Sequence, residues 1–490
     1  MTVVHRVLPA SPYNDLDSYV RAGGGRALDA AGKLGVDGVM DEVEASGLRG
    51  RGGAGFPTAR KWRTVRDNLA TALRAAVVVN AAEGEPGTFK DRAILEADPY
   101  QVLEGALVAA RVVGANEVII GLKASFAPVV ARVRAAVEEV VGAGWADGVR
   151  ISIVEGPDEY LYGEETALLE VVNGRPPFPR IAPPYRRGAT DVVESDADTE
   201  ASSGLSARVD MAGPGGEELA PPALVNNVET LANVAHIVAE GAERFRSYGT
   251  AGSPGTVVCT VTGSVAHAGV GEVRLGTPLR AVIDAIGGGA RKGRTIRAVL
   301  NGVSGAVLSG KALDTPLSHE AFAAAGSGLG SAGFIVLDDA DDPVSVAAGA
   351  SRFLAVESCG QCSPCKADGL EIAASLGRMS TGRADEDDLD VVRERIDTIA
   401  DGARCALASQ HEVVVRSMLK AFPAEFEARL RGGRSVEPAI VAEVLAIEEG
   451  AARWDVAHRD KQPDWTTDVV DSGQWPAERL DEHRFHRSGR

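Results

Sequence analysis

Ala75-Ala76-Val77-Val78-Val79 runs straight into Asn80-Ala81-Ala82-Glu83-Gly84-Glu85-Pro86-Gly87-Thr88, a short apolar, β-branched run followed by a glycine-rich polar loop. The pattern repeats downstream. Asp98-Pro99 offers an N-cap and a proline at the first helical position, opening a helix that ends near Gly114. Val118–Ile120 reads as a second strand, Ser125 begins a helix to about Val141, and Val149–Val154 reads as a third strand. Two βαβ-like units between about Leu73 and Glu155 predict a parallel sheet with helices packed on it. Ligands of such sheets bind in loops beyond the carboxyl ends of strands, and the two richest polar loops follow the first and third strands.

Outward from this unit the character changes. Gly188–Pro222 holds Asp191, Glu194, Asp196, Asp198 and Glu200 among small polar residues, the composition of an acidic, flexible insertion. From Thr256 to about Asp338 the pattern is two strands, a short helix (Leu279–Ile286) and further strands, consistent with a small β-grasp-like domain. After Pro343 the chain reads as helical through Leu430. The last thirty residues show little periodicity and are expected to be poorly ordered without a partner.

Composition excludes several classes. With 490 residues, two to four domains are expected, and 45% hydrophobic with 24% charged residues is globular usage. A net charge of −18 argues against a nucleic-acid surface. No apolar run reaches the roughly 18 residues of a membrane span. Met1–Asp15 lacks a secretory pattern, so the expected location is cytoplasmic, with membrane association only through partners.

Three motifs carry chemistry. Cys359, Cys362 and Cys365 are separated by two residues each, with Cys405 as a distant fourth. Three thiolates at that spacing suit three corners of a cubane, whereas structural zinc usually draws on two pairs, so a [4Fe–4S] cluster is expected. Cys259 sits in a strand-like run and reads as core. Ser46–Pro57 combines five glycines with Arg49 and Arg51, which suits a phosphate; a flexible surface loop is the alternative. Glu83 and Glu85 after the first strand, and Glu164 and Glu165 after the third, suit ribose hydroxyls or an amide. Helix N-terminal capping is their competing reading.

In order along the chain, Ser46–Trp62, Asn80–Arg92, Tyr160–Pro184, Val225–Val234 and Glu357–Cys365 with Cys405 resemble the family of 51 kDa (F) flavoprotein subunits of NADH dehydrogenases. That family includes diaphorase subunits of hydrogenases and of NAD-dependent formate dehydrogenases. The resemblance implies a Rossmann-like FMN domain (1–245), a β-grasp (SLBB) domain (246–340), a helical [4Fe–4S] domain (341–435) and a C-terminal extension (436–490). It also implies cofactor contacts from Gly50, Arg51, Gly52, Gly53, Ala54, Gly55, Lys61, Asn80, Glu83, Tyr160, Gly163, Glu164, Asn226 and Asn227. Phe56, Glu85 and Glu165, with Lys61, fall on the NADH side, and the four cysteines ligate the cluster. The sequence departs from the family pattern at Ala82, where an aspartate is usual, at Tyr162, where cysteine is common, and at Ala182, which is often basic.

The implied activity is hydride transfer from NADH to FMN, then one-electron transfer through the cluster to a quinone-reducing complex or soluble partner. No side chain is assigned as catalytic acid or base, because the cofactors perform the redox chemistry. An iron–sulfur partner subunit or ferredoxin is expected, the latter in an accessory diaphorase. The rival from another class is an iron–sulfur relay that has lost flavin or NADH binding, motivated by Ala82 and Ala182.

Overall fold

The structure, a computed structural model, describes residues 3–69, 74–189, 221–432 and 434–463. Its first sheet is wholly parallel: β1 (Ala76–Asn80), β2 (Glu117–Lys123), β3 (Arg150–Gly156) and β4 (Ala223–Asn227), in the order β3-β2-β1-β4. Val77, Val78 and Val79 are all fully buried. Both faces of β1 are covered, which is why the run is continuously apolar rather than alternating. Helix Pro99–Val113 starts as its sequence dictates: Asp98 accepts from the Tyr100 and Gln101 amides (3.1 and 3.2 Å), and Gly114 closes it at φ +68°.

Several elements differ from the sequence reading. A further helix, Lys90–Ala97, intervenes between the loop after β1 and Asp98. The helix expected from Ser125 starts at Ala127, with Phe126 in the capping position. The fourth strand, β4, carries the Asn226–Asn227 pair and was not legible as a strand.

The second sheet has five strands, β5 (Thr256–Gly263), β6 (Gly269–Arg274), β7 (Ile296–Asn301), β8 (Leu308–Ser309) and β9 (Gly333–Asp338), in the order β6-β5-β9-β7-β8. Its first and last strands lie parallel at the centre and the rest are antiparallel. Helix Leu279–Gly287 follows the first hairpin and buries Leu279, Val282, Ile283 and Ile286 against the sheet. This is the strand order of a β-grasp. Helices Pro343–Glu357, Ser363–Ser380, Asp388–Thr398, Leu407–Ala421 and Pro423–Leu430 then pack around Leu354, Ile372, Leu376, Val415 and Met418. A hairpin of β10 (Val444–Glu448) and β11 (Ala451–Trp454), absent from the sequence reading, follows them. Among the described residues no helix is long and apolar enough to cross a membrane.

Positions 190–220, most of the acidic insertion, and 464–490, most of the polar tail, lie outside the described residues. The two flanks of the insertion meet. A Cβ at Gly188 would lie 2.0 Å from the Pro221 carbonyl oxygen, and the Ala223 amide donates to Pro184 O (3.0 Å).

Candidate functional site

Strand order fixes where a ligand fits. From β1 the chain builds outward through β2 and β3, then returns to the other side of β1 as β4, so the topological switch lies between β1 and β4. Asn80 and Asn227 are partners in register there, at the carboxyl ends of the two strands. Asn226 accepts from the buried Trp62 indole N–H (2.9 Å), fixing the helix that follows the glycine loop onto β4.

The glycine loop folds over this switch point. The Gly50 amide donates to Phe56 O (2.8 Å), Arg49 bridges to Pro57, and Gly53 bridges to Gly330 of the β-grasp domain. A Cβ at Gly52 would meet the Asn227 Cβ at 3.1 Å, and Gly53 adopts φ +129°, so the loop needs glycine to lie this close. Gly52 and Ala54 are exposed, and Phe56 is 45% exposed at the rim. Helix Thr58–Asp67 begins immediately after, with no side-chain cap on its first amides. An open backbone loop at a helix N-terminus is a fitting cradle for a flavin phosphate.

Arg51 is not part of that open surface. Its guanidinium is buried, donating to Pro254 O (3.1 Å) and Arg49 O (3.2 Å), 3.8 Å from Glu229, while its amide donates to Thr230 Oγ1 (2.9 Å). Beneath the Asn pair, Lys90 bonds to Asp91 (2.8 Å) and Glu229 (2.9 Å), and Asn227 donates to Asp91 (2.7 Å). Burial pushes the Asp91 carboxyl up to about 6 against the pull of Lys90, while Asp91 and Glu229 outweigh burial and drive the Lys90 ammonium upward.

The four carboxylates separate into two kinds. Glu83 is buried, accepting from the Asp91 amide (3.1 Å) and Arg92 Nε (2.9 Å). Glu164 caps helix Glu165–Val172, accepting from the Thr166 and Ala167 amides (both 2.9 Å), and burial raises its carboxyl. Capping therefore describes these two side chains. Glu85 and Glu165 instead reach across to other segments of the chain. Glu85 accepts from Tyr160 Oη (2.5 Å) and the Val303 amide (2.7 Å); burial pushes its carboxyl up, and burial, then Glu85 itself, pushes the Tyr160 phenol up. Glu165 pairs with Lys61, both partly exposed.

The sequence reading set the two carboxylate pairs after the first and third strands. In the sheet β2 lies between β1 and β3. The loops meet because the turn Tyr160–Gly163 carries the chain back across β2. Asn80 Nδ2 donates to Gly163 O (2.8 Å), and a Cβ at Gly163 would lie 2.8 Å from Ala82 O. Tyr162 is fully buried, its ring end occupying the space that Gly121 and Gly156 leave open. The cysteine-to-tyrosine departure is thus absorbed by two glycines.

Cys359, Cys362, Cys365 and Cys405 line one cavity, together with Leu161, Pro179 and Leu407. Among the described residues no three His, Cys, Asp or Glu side chains are grouped to hold a single metal ion. Four thiols around one cavity fit the four corners of an iron–sulfur cubane. Burial, then the neighbouring cysteines, raises the Cys365 thiol and pushes Cys405 up to about 12, so a metal's charge would be needed to hold these two as thiolates. Gln361 Nε2 donates to Cys359 Sγ (3.3 Å), and Lys366 Nζ donates to Ala355, Val356 and Ser358 carbonyls (2.9, 3.3 and 2.6 Å). Cys259 is a buried free thiol in β5.

Sequence reasoning missed the partners of these groups. Lys90, Asp91 and Arg92 follow the polar loop directly and their charge was visible. Gln410, 3.4 Å from Tyr160 Oη, and Glu443 had no local signal.

Fold and site together define an α/β protein that joins a switch-point nucleotide cleft to a tetracysteine cluster cavity. Residues 43–236 match the Nuo51 FMN-binding domain, and residues 345–429 match the NADH-ubiquinone oxidoreductase-F iron-sulfur binding region. The chain is 35% identical to the F 2 subunit of the NADH-quinone oxidoreductase of Rhizobium meliloti, covering 86% of this chain and 95% of that protein. It is 33% identical to HndC, a subunit of the NADP-reducing hydrogenase of Solidesulfovibrio fructosivorans, over 85% and 80% of the two chains. A chain of an NAD+-reducing [NiFe]-hydrogenase crystal structure, in its H2-reduced state, superposes with a TM-score of 0.71 at 32% identity, covering 85% of this chain and 67% of that one. The chain belongs to the family of F-type flavoprotein subunits of NADH-quinone oxidoreductases.

Proposed function

We propose that this chain is an NADH-oxidising flavoprotein subunit that hands electrons singly to a partner. The observation that carries the reading is Tyr160. Its hydroxyl donates to Glu85, and its amide donates to Glu357 (3.0 Å), two residues before Cys359. One residue therefore joins the nucleotide side to the cluster side. When bound, FMN supplies the conversion of a two-electron hydride into single electrons, and the cluster supplies the one-electron relay.

The chain's own residues bind and orient. Gly52–Gly55 and the N-terminus of helix Thr58–Asp67 hold the flavin phosphate through backbone amides, in a loop that the Gly50 amide closes on Phe56 O. Arg51 shapes the loop from within. Asn80, Asn226 and Asn227 set the cleft floor, and Glu83, Gly163 and Glu164 fix the two loops that line the flavin. Phe56, Glu85 and the Lys61–Glu165 pair engage NADH. The survival of these residues favours dehydrogenase over relay, since Ala82 is buried at 3% exposure and packed in an apolar cluster with Tyr162 and Leu168.

The partner is an iron–sulfur subunit or ferredoxin, leading to a quinone-reducing complex or a soluble acceptor, with the chain itself cytoplasmic. The test is anaerobic titration of the purified protein with NADH. Bleaching of flavin bands with stoichiometric FMN on denaturation is expected; a cluster without flavin, even after adding FMN, transfers the reading to the relay.

A further inference from the structure

Residues 434–463 lie beyond the matched iron–sulfur region and cross all three domains as a strap. At its start Val436 exchanges bonds with Ser380: its amide donates to Ser380 O (2.9 Å), and its carbonyl accepts from Ser380 Oγ (2.6 Å). At the hairpin tip Gly450 O accepts from the Ala268 amide of the β-grasp domain (2.6 Å). At its end His458 Nε2 (3.0 Å) and Lys461 Nζ (2.5 Å) reach Glu357 beside the cluster loop.

Between these anchors Glu443 enters the floor of the cleft domain. One carboxylate oxygen lies 3.3 Å from Arg92 and the other 2.5 Å from Lys123, while Arg92 also donates to Val444 O (2.6 Å). The result is a line of alternating charge, Glu83–Arg92–Glu443–Lys123, with side-chain exposures of 3, 3, 13 and 1%. Both cations hold the loops that meet at the cleft. Arg92 bonds to Glu83 and to Thr88 O (3.0 Å). Lys123 donates to Asp158 O (3.0 Å), and a Cβ on Gly84 would lie 2.8 Å from its Nζ. Among the described residues, Glu83 is the other carboxylate bonded to this pair of buried cations.

We propose that Glu443, supplied by the C-terminal strap, is a positioning residue for the Glu83-Gly84-Glu85 loop, neutralising Arg92 and Lys123 so that the loop and its charge environment stay fixed. This rests on the dehydrogenase reading, in which that loop lines the flavin. The site thus depends on a segment outside its own domain. An uncompensated cation under the loop favours the more negative, reduced form of a bound flavin.

The experiment compares the full-length wild type with Glu443→Gln, Glu443→Asp and the double variant Glu443→Gln/Lys123→Met. Flavin midpoint potential is measured in the holoprotein, and amide hydrogen exchange at Asp91 and Arg92 in the flavin-free protein. Glu443→Gln is expected to raise the potential and speed exchange about tenfold, the equivalent of about 1.4 kcal/mol. Glu443→Asp should stay close to wild type. The double variant should return the potential toward wild type although the contact remains broken. A Glu443→Gln protein that is merely less stable, with potential and exchange unchanged, overturns the proposal. If the wild type takes up no FMN, the dehydrogenase reading fails, and the exchange measurement still decides the role of Glu443.

Discussion

Around the cleft, charged side chains are buried in alternating sequence: Arg51, Glu229, Lys90 and Asp91 on one side, Glu83, Arg92, Glu443 and Lys123 on the other. Around the cysteine cavity Glu357 is paired with His458 and Lys461, but other buried groups lean on backbone or a hydroxyl instead of an opposite charge. Lys366 faces three backbone carbonyls at the end of helix Pro343–Glu357, and His411 meets only the Ser351 hydroxyl (2.7 Å) with its other nitrogen unpartnered. The difference follows from what each region must hold. A diffusible nucleotide and a flavin phosphate are recognised by fixed charges and dipoles, which survive burial only when paired. A cluster is held by direct metal–thiolate bonds, so its domain needs donors in the right places and a dry wall.

The sharpest way to break the comparison is Cys405→Ser. It should abolish the broad iron–sulfur absorbance while leaving FMN uptake intact; loss of both together would show that the regions do not assemble independently. Next in size is Lys90→Met, which leaves Asp91 and Glu229 buried and facing each other. It should cost about 3–5 kcal/mol in chemical denaturation, the range for breaking a buried pair.

The cluster domain should instead show its weakness in acid. Burial holds the His411 imidazole down at about 3, against about 6.5 in the unfolded chain. Between those values only the unfolded state takes up the proton. Stability from this group is therefore full above pH 6.5 and falls by about 1.4 kcal/mol per unit as pH drops toward 3. His411→Gln should flatten that part of a stability–pH curve; an unchanged slope would assign the acid sensitivity elsewhere. Smallest is Lys61→Ala at the cleft rim. A partly exposed pair contributes less than about 1 kcal/mol to stability. The variant should raise KM for NADH with kcat nearly unchanged, and an equal fall in both kcat and kcat/KM would argue against a binding role.

What could be read beforehand was whatever repeats or clusters locally. Cys359, Cys362 and Cys365 state their chemistry by spacing, and Asp98-Pro99 to Gly114 marks both ends of its helix. The five residues of β4 could not be read as a strand, because a long acidic insertion separates them from the βαβ pattern and their partner is β1, far back in the chain. Glu83 and Glu164 were visible as carboxylates near a site, but only the fold shows their oxygens turned inward to Arg92 and to helix amides. Glu443 and Arg92 are 351 positions apart, a pairing with no periodicity to betray it.

The meeting of Gly188 with Pro221–Ala223 has a practical consequence. The flanks at 188 and 221–223 are joined directly to one another, so the frame closes there whatever the length of chain between them. Closing a longer loop costs only logarithmically more. A domain grafted between the two flanks should leave them joined as they are, at a closure cost that grows only slowly with its length.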